Sequence, residues 1–135
     1  MTTYRVVQWS TGNVGRHAIA GIDARPDLEL AGVWVSTSDK VGRDAGELAG
    51  LGRTLGVAAT RDQDELLALQ PDCVVYTAMA DDRLGEAIED LTRILRAGIN
   101  VVSSSPVFLQ YPEGVVPGEV SDPVRRAAEE RGVSI

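Results

Sequence analysis

The chain has 135 residues, of which 44% are hydrophobic and 24% charged, with a formal net charge of −7. These values are ordinary for a single globular domain, and the acidic balance argues against a nucleic-acid partner. No apolar run approaches the roughly 18 residues that a membrane span needs, and no signal-peptide pattern opens the chain. We therefore expect a cytoplasmic protein.

The most informative segment covers residues 4–22, where an apolar strand runs into a glycine turn (residues 10–15) and a helix opens from that turn. Gly12 and Gly15 occupy the second and third glycine places of the fingerprint G-x-G-x-x-G, and Ser10 stands in the first. In this fingerprint the second glycine allows a pyrophosphate to approach the backbone, and the third allows the helix to pack closely against the strand. Ser10 is expected to be tolerated with a negative φ.

The turn therefore predicts a dinucleotide site, because the first N–H groups of a helix and its positive dipole end bind phosphate. A turn that merely joins a strand to a helix is the alternative. The residues predicted to hold the pyrophosphate are Ser10, Thr11, Gly12, Asn13, Val14 and Gly15.

The segment after the second predicted strand bears on the choice of cofactor. An NAD-binding domain is expected to carry an acid about 20 residues after the glycines, bonded to the ribose 2′-hydroxyl, but Ser36 stands there. The side chains that suit a 2′-phosphate are Ser36, Thr37, Ser38 and Lys40, with Arg43 close behind. We predict NADP(H) as the preferred cofactor and NAD(H) as the second, since Asp39 could bond the ribose. A solvated Ser/Thr-rich loop is the alternative.

Apolar runs alternate with helix-length segments along the whole chain. Strands are predicted at 4–9, 28–36, 55–60, 72–78 and 99–103, with a further start at 133, and helices at 13–23, 62–69, 82–97 and 121–131. This alternation predicts an α/β, Rossmann-type, doubly wound and mainly parallel sheet. The last helix is expected to begin at Ser121, a good N-cap. Because residue 135 falls within an element, we expect residues 1–135 to be one dinucleotide-binding domain of a longer protein. A free-standing domain with a frayed terminal strand is the alternative.

Two further loops follow predicted strands at the edge where open α/β sheets bind ligands. Thr77 and Ala78 follow one strand, and Ser103 and Ser104 follow the next. Small and hydroxylic residues there allow a ribose and a nicotinamide to lie against the backbone, although polar loop composition explains them equally well.

Candidate catalytic groups are few. His17 is the only histidine, in the first helix, and Glu113 is an acid in the loop after the last full strand. Cys73 is the only cysteine and is expected to be a buried, inert thiol. No cluster has metal-ligand spacing and no nucleophile has an evident base, so no metal site is predicted and no catalytic residue is named.

Three segments together carry a family resemblance: Val6–Gly15, Lys40–Leu48 and Asn100–Pro106. With them the chain resembles the N-terminal domain of dihydrodipicolinate-reductase-like oxidoreductases, in the branch of 2,4-diaminopentanoate dehydrogenase and the native amine dehydrogenases. The resemblance implies a Rossmann domain that binds NAD(P)H, and a C-terminal α/β half that completes the substrate pocket and a homodimer. It also implies that residues 10–15 hold the pyrophosphate, 36–40 the adenosine ribose, and 77–78 with 103–104 the nicotinamide side.

One segment departs from that family pattern. Amine-active members place a glutamate a few residues after the fifth strand, where this chain has Pro106, Val107 and Phe108. The expected function is the cofactor half of an oxidoreductase that transfers hydride between a nicotinamide and a carbonyl or imine carbon, inactive without a substrate domain. A non-catalytic nucleotide-binding or redox-sensing module is the alternative, and a scaffold that binds no nucleotide is a third hypothesis.

Overall fold

The computed structural model describes residues 2–135 as a parallel four-stranded sheet with helices on both faces. The strands, in spatial order β2-β1-β3-β4, are β1 (Tyr4–Trp9), β2 (Leu28–Trp34), β3 (Cys73–Tyr76) and β4 (Asn100–Ser103). The helices are α1 (Asn13–Asp23), α2 (Ala45–Leu48), α3 (Gln63–Ala68), α4 (Leu84–Arg96) and α5 (Gly118–Arg131). Short 3₁₀ turns lie at Ser38–Lys40 and Val107–Gln110.

Alternate strand residues point into two separate cores, which makes the sheet doubly wound. Trp9 and Tyr76 belong to the larger core, under α3, α4 and α5. Val33 and Val35 belong to the smaller core with Ile19 of α1 and residues of α2. Strands buried on both faces must be apolar almost throughout, which explains the continuous apolar runs. The Rossmann-type prediction is confirmed.

The α1 side of β3 and β4 is the least covered part of the sheet. A cleft there is lined by Val6, Ile22, Cys73 and Val75, and Val102 at its rim is 62% exposed. Cys73 is consequently half-buried rather than fully buried as expected. Burial raises the pKa of its thiol, which keeps it protonated and unreactive near neutral pH.

The predicted strand 55–60 is wrong, because the segment forms only two isolated bridges, a parallel one between Thr60 and Trp34 of β2 and an antiparallel one between Ala58 and Asp44. Its backbone bonds mostly elsewhere, since Val57 C=O accepts from Ala45 N at 2.8 Å and Ala59 N donates to Arg43 O at 2.9 Å. A competing antiparallel segment therefore uses the groups that a sheet ladder would need. The strand start at 133 is likewise reduced to one backbone–backbone hydrogen bond with β4, from Val101 N to Ser134 O at 2.9 Å.

The start of α5 also differs from the prediction. The helix begins at Gly118, and Ser121, the expected N-cap, lies inside it with 4% exposure. Val120 N donates to Pro117 O at 2.9 Å, so the turn before Ser121 is already hydrogen-bonded. Among residues 2–135, no helix combines the length and apolarity needed to cross a bilayer.

Candidate functional site

The predicted site segments meet between β1 and β3, where the connections to the next strands run in opposite directions along the sheet. β1 and β3 are neighbours, but the chain leaves them for α1 and α4 on opposite faces. Thr77 N donates to Trp9 O at 3.1 Å and Ser104 N donates to Tyr76 O at 3.1 Å, so the three loops lie side by side. Open α/β sheets bind ligands in such a crevice, at the carboxyl ends of the strands.

Ser10 adopts a backbone conformation that differs from the expectation. Its φ is +86°, in the left-handed region that disfavours L side chains, and not negative as predicted. Its N–H donates to Trp34 O of β2 at 2.9 Å. Ser10 thus adopts the positive-φ backbone conformation that a glycine at the first fingerprint position adopts without strain.

The fold requires glycine at only one of the two glycine positions of the turn. A Cβ on Gly15 would stand 2.2 Å from Ser10 O, so only glycine lets α1 approach the turn, as predicted. A Cβ on Gly12 would meet nothing within 4 Å, and its φ of −72° suits any residue. The fold itself therefore does not need glycine at position 12. The space beside Gly12 is open among the described residues.

The first turn of α1 is left open to an anion. No side chain caps it, and no acidic residue lies in it. The N–H groups of Asn13, Val14 and Gly15 point out of the helix start, as at any helix N-terminus. Arg16 donates to Asn13 Oδ1 at 3.2 Å, which adds a positive charge beside this end.

The ribose-end loop (residues 36–40) is joined to the glycine turn by one side-chain contact. Lys40 Nζ donates to Thr11 Oγ1 at 3.2 Å, and Thr11 is 5% exposed. The hydroxyl-bearing residues of the loop, Ser36, Thr37 and Ser38, are exposed to solvent. A hydrogen bond from Thr37 lowers the pKa of Asp39, assisted by the charges of Lys40 and Arg43. Asp39 is therefore ionised near neutral pH.

The residues expected at the nicotinamide side differ in what they can offer. Thr77 is half-buried, whereas Ala78 is 5% exposed with its methyl group in the larger core, so Ala78 presents only backbone. Ser103 Oγ donates to Ser105 O and accepts from Ser105 N, so this hydroxyl is used within its own loop. Ser104 is exposed.

The two candidate acid–base side chains remain isolated. His17 lies on the exposed side of α1 and Glu113 in an exposed loop, and neither pairs with a nucleophile. Within residues 2–135, no group of three His, Cys, Asp or Glu side chains is arranged to hold a metal ion. Among the described residues, neither side chain therefore forms part of an acid–base pair.

Two buried polar groups at this edge were missed from the sequence. Gln8 of β1 is fully buried and reaches the glycine turn. Tyr76 OH donates to Asp90 Oδ2 at 3.0 Å beside Arg83, and burial raises the pKa of Tyr76, which keeps the phenol protonated. Each could have been found in the sequence as a polar residue at an apolar position. Gln8 stands between Val7 and Trp9 in a strand, and Asp90 lies on the apolar side of α4.

Comparison with known proteins gives the family. Residues 6–104 match the family described as "Dihydrodipicolinate reductase, N-terminus". The chain belongs to this family. It is an N-terminal NAD(P)-binding domain of the dihydrodipicolinate-reductase-like oxidoreductases, as the resemblance implied.

Individual relatives agree with that placement. An amine dehydrogenase from Streptomyces virginiae is 48% identical over 129 residues, which are 96% of this chain and 36% of that protein. A 4-hydroxy-tetrahydrodipicolinate reductase from Trichormus variabilis is 39% identical over 62 residues, 46% of this chain and 22% of the relative. The amine dehydrogenase structure from Mycobacterium smegmatis matches with a TM-score of 0.82 and 32% identity, covering 96% of this chain and 37% of that one.

More distant structures share the fold alone. A 3-ketoreductase from Actinomadura kijaniata, solved with NADP and TDP-benzene, matches with a TM-score of 0.71 and 20% identity over 98% of this chain and 36% of its own. The chain spans about a third of the length of the amine dehydrogenases that it resembles.

Proposed function

We propose that this chain binds a nicotinamide dinucleotide across the crevice described above. The pyrophosphate contacts residues 10–15, the adenosine ribose contacts residues 36–40, and the nicotinamide side lies along 77–78 and 103–104. The observation that carries the proposal is the glycine turn, where open space beside Gly12 faces an uncapped helix start. Backbone N–H groups and a helix dipole in that arrangement bind phosphate oxygens.

NADP(H) is the preferred cofactor in this proposal, and NAD(H) the weaker one. Lys40 holds a positive charge 3.2 Å from Thr11 Oγ1, between the two loops that contact the adenosine half. Exposed hydroxyls at residues 36–38 supply further donors for a 2′-phosphate. Asp39 faces the Thr37 hydroxyl and two cations, so its repulsion of a phosphate is reduced.

The reaction proposed for the complete protein is hydride transfer at a carbonyl or imine carbon, with an amine as the reduced substrate. The names of the relatives, amine dehydrogenase and 4-hydroxy-tetrahydrodipicolinate reductase, support this class. The bound nicotinamide supplies or accepts the hydride, while the protein holds it and excludes other orientations. In this proposal the present residues bind and orient the cofactor, and no catalytic acid or base is assigned to them.

The substrate pocket and a homodimer contact are proposed to lie in a second domain. Support comes from the length of the relatives, of which this chain covers 36% and 37%. The exposed Val102 on the poorly covered side of β4 is consistent with further chain packing there.

Calorimetric titration of the protein with NADPH and NADH tests the cofactor site. The wild type should bind NADPH more tightly than NADH. Lys40→Ala should weaken NADPH binding about tenfold to a hundredfold, because a hydrogen bond to a charged group contributes about 1.5–3 kcal/mol. NADH binding should change little.

Arg25→Ala is the matched control, since it removes an equal charge at the opposite end of the sheet, where Arg25 pairs with Asp27. It should alter neither affinity. Equal losses for both cofactors in Lys40→Ala, or tighter NADH binding by the wild type, would contradict the 2′-phosphate assignment. Absence of binding to either cofactor would contradict the proposed function itself.

A further inference from the structure

Gln8 is a fully buried polar residue inside an apolar strand, and its amide reaches forward to the glycine turn. Gln8 Nε2 donates to Ser10 O at 2.9 Å and to Thr77 Oγ1 at 2.8 Å. Thr77 Oγ1 in turn donates to Trp9 O at 3.2 Å. One side chain therefore connects the turn after β1 to the loop after β3. These are the two loops that border the crevice.

These contacts fix the backbone on both sides of the one strained residue of the turn. The Ser10 N–H donates to Trp34 O. The preceding carbonyl, Trp9 O, accepts from Thr77 Oγ1, and Ser10 O accepts from Gln8 Nε2. A non-glycine residue stays in the left-handed region only where surrounding groups hold it there. Without the Gln8 amide, the Ser10–Thr11 peptide loses the side-chain bond that holds its carbonyl.

The orientation of that peptide matters for anion binding. Ser10 O points towards Gln8 and towards the first turn of α1, where a Cβ on Gly15 would touch it. In a trans peptide the N–H points opposite to the C=O, so the Thr11 N–H points away from both. Within residues 2–135 this N–H makes no hydrogen bond, and it stands next to the open space at Gly12.

We infer that Gln8 is a positioning residue for the phosphate site: by binding Ser10 O and Thr77 together, it holds Ser10 at φ +86° and turns the Thr11 N–H towards the pyrophosphate. This inference rests on the proposed function. It explains how a serine occupies the first glycine place, and why a glutamine is buried in an apolar strand although its Oε1 has no partner among the described residues. Gln8 acts through the backbone and does not itself contact the cofactor.

A double-mutant cycle between Gln8→Met and Ser10→Gly tests the inference. Gln8→Met keeps the length and volume of the side chain but removes its amide, and should weaken NADPH and NADH binding equally, by about tenfold, the loss of roughly one hydrogen-bonded contact. In the Ser10→Gly background the same substitution should cost less than about threefold, because glycine adopts positive φ without help.

Thr92→Val is the matched control, because it also removes a buried polar group, but one that has no hydrogen-bond partner and lies on α4. It should leave both affinities unchanged. A purely structural role for Gln8 predicts a lower unfolding temperature with unchanged affinity, or equal affinity losses in both Ser10 backgrounds, and either result would overturn the inference.

The remaining outcomes also decide the question. If Gln8→Met does not fold, Ser10→Gly should restore its folding, and an unfolded double variant would overturn the inference. If the wild type binds no dinucleotide, the proposed function fails, but the cycle can still be measured on the unfolding temperature. Ser10→Gly should then recover most of the loss caused by Gln8→Met, and additive losses would exclude the positioning role.

Discussion

The glycine turn and the ribose-end loop lie at the same edge of the sheet but are built differently. In the turn, backbone groups around Ser10 are bonded to β2, to Gln8 and to Thr77, and Thr11 is almost fully buried. In the loop, residues 36–39 are exposed and Lys40 alone reaches back to the turn. From this difference we expect that, under the proposed function, the turn determines whether a dinucleotide binds and the loop determines which one.

The largest effect is expected for Gly15→Ala, which changes the hydrogen-bonded glycine turn itself. The new Cβ would lie 2.2 Å from Ser10 O and 2.8 Å from Ser10 C, so α1 must move away from the turn. We expect a loss of about 1–3 kcal/mol in the free energy of unfolding, and loss of binding to both cofactors. Thermal unfolding followed by circular dichroism, together with calorimetry, measures both.

Gly21→Ala is the control for that substitution, because Gly21 lies in the same helix and a Cβ there meets nothing within 4 Å. It should raise stability by about 0.5–1 kcal/mol, the usual gain of alanine over glycine in a helix. Gly15→Ala with wild-type stability and affinity would show that the turn tolerates movement.

Gly12→Ala separates binding from folding within the turn. The backbone φ of −72° accepts alanine and the new methyl group clashes with nothing, so the unfolding temperature should fall only slightly, because alanine is a poorer N-cap than glycine. The methyl group would occupy the space assigned to the pyrophosphate, and both NADPH and NADH should bind at least about tenfold more weakly, a change of roughly 1.4 kcal/mol. Unchanged affinities would remove Gly12 from the site.

Ser36→Asp acts on the ribose-end loop and should change selectivity rather than overall binding. A carboxylate at the end of β2 repels a 2′-phosphate and accepts a hydrogen bond from a 2′-hydroxyl. NADPH affinity should fall by about tenfold, while NADH affinity stays constant or rises. An equal fall for both cofactors, measured in parallel titrations, would instead place Ser36 against a shared part of the molecule.

The smallest effect concerns the anchoring of the segment after that loop. Asp44 accepts hydrogen bonds from the N–H groups of Leu55, Gly46, Gly56 and Val57, which lower its pKa despite partial desolvation. The stability from these bonds is fully present above the unfolded pKa of about 4. It is lost as pH falls through the lower folded pKa.

Asp44→Asn should therefore lower the unfolding temperature at pH 7 and flatten its decline below about pH 4. Thermal unfolding from pH 2 to pH 7 measures this, with Glu47→Gln, an exposed side chain paired with Arg43, as the control. A variant curve parallel to that of the wild type over this pH range would contradict the assignment.

The sequence predicts most of this fold because local and global signals agree in it. The strand–turn–helix of residues 4–22 and the amphipathic α4 are readable from periodicity and glycine placement alone. The segment 55–60 is apolar like a strand, but its backbone bonds to residues 42–45, a competition that periodicity does not reveal. The start of α5 and the half-exposure of Cys73 likewise depend on distant neighbours.

The candidate site, like the fold, could be predicted from the sequence only in part. Residue types and spacing identify the glycines and the Ser/Thr-rich loop, and the structure brings both to one edge. The positive φ of Ser10 and its bond to Gln8 arise from contacts across β1, β2 and β3, which no local pattern encodes. Gln8 nevertheless stands out in the sequence as a polar residue in an apolar strand, because burying a polar side chain without a hydrogen bond is costly.

An NMR titration of the ¹⁵N-labelled protein with NADPH, following every backbone amide, would locate the cofactor site. We predict the largest chemical-shift changes at Thr11 to Gly15, with a second group at residues 36–40 that is weaker with NADH. Changes confined to other surfaces, such as the cleft between α5 and residues 133–135, or no changes at all, would contradict it.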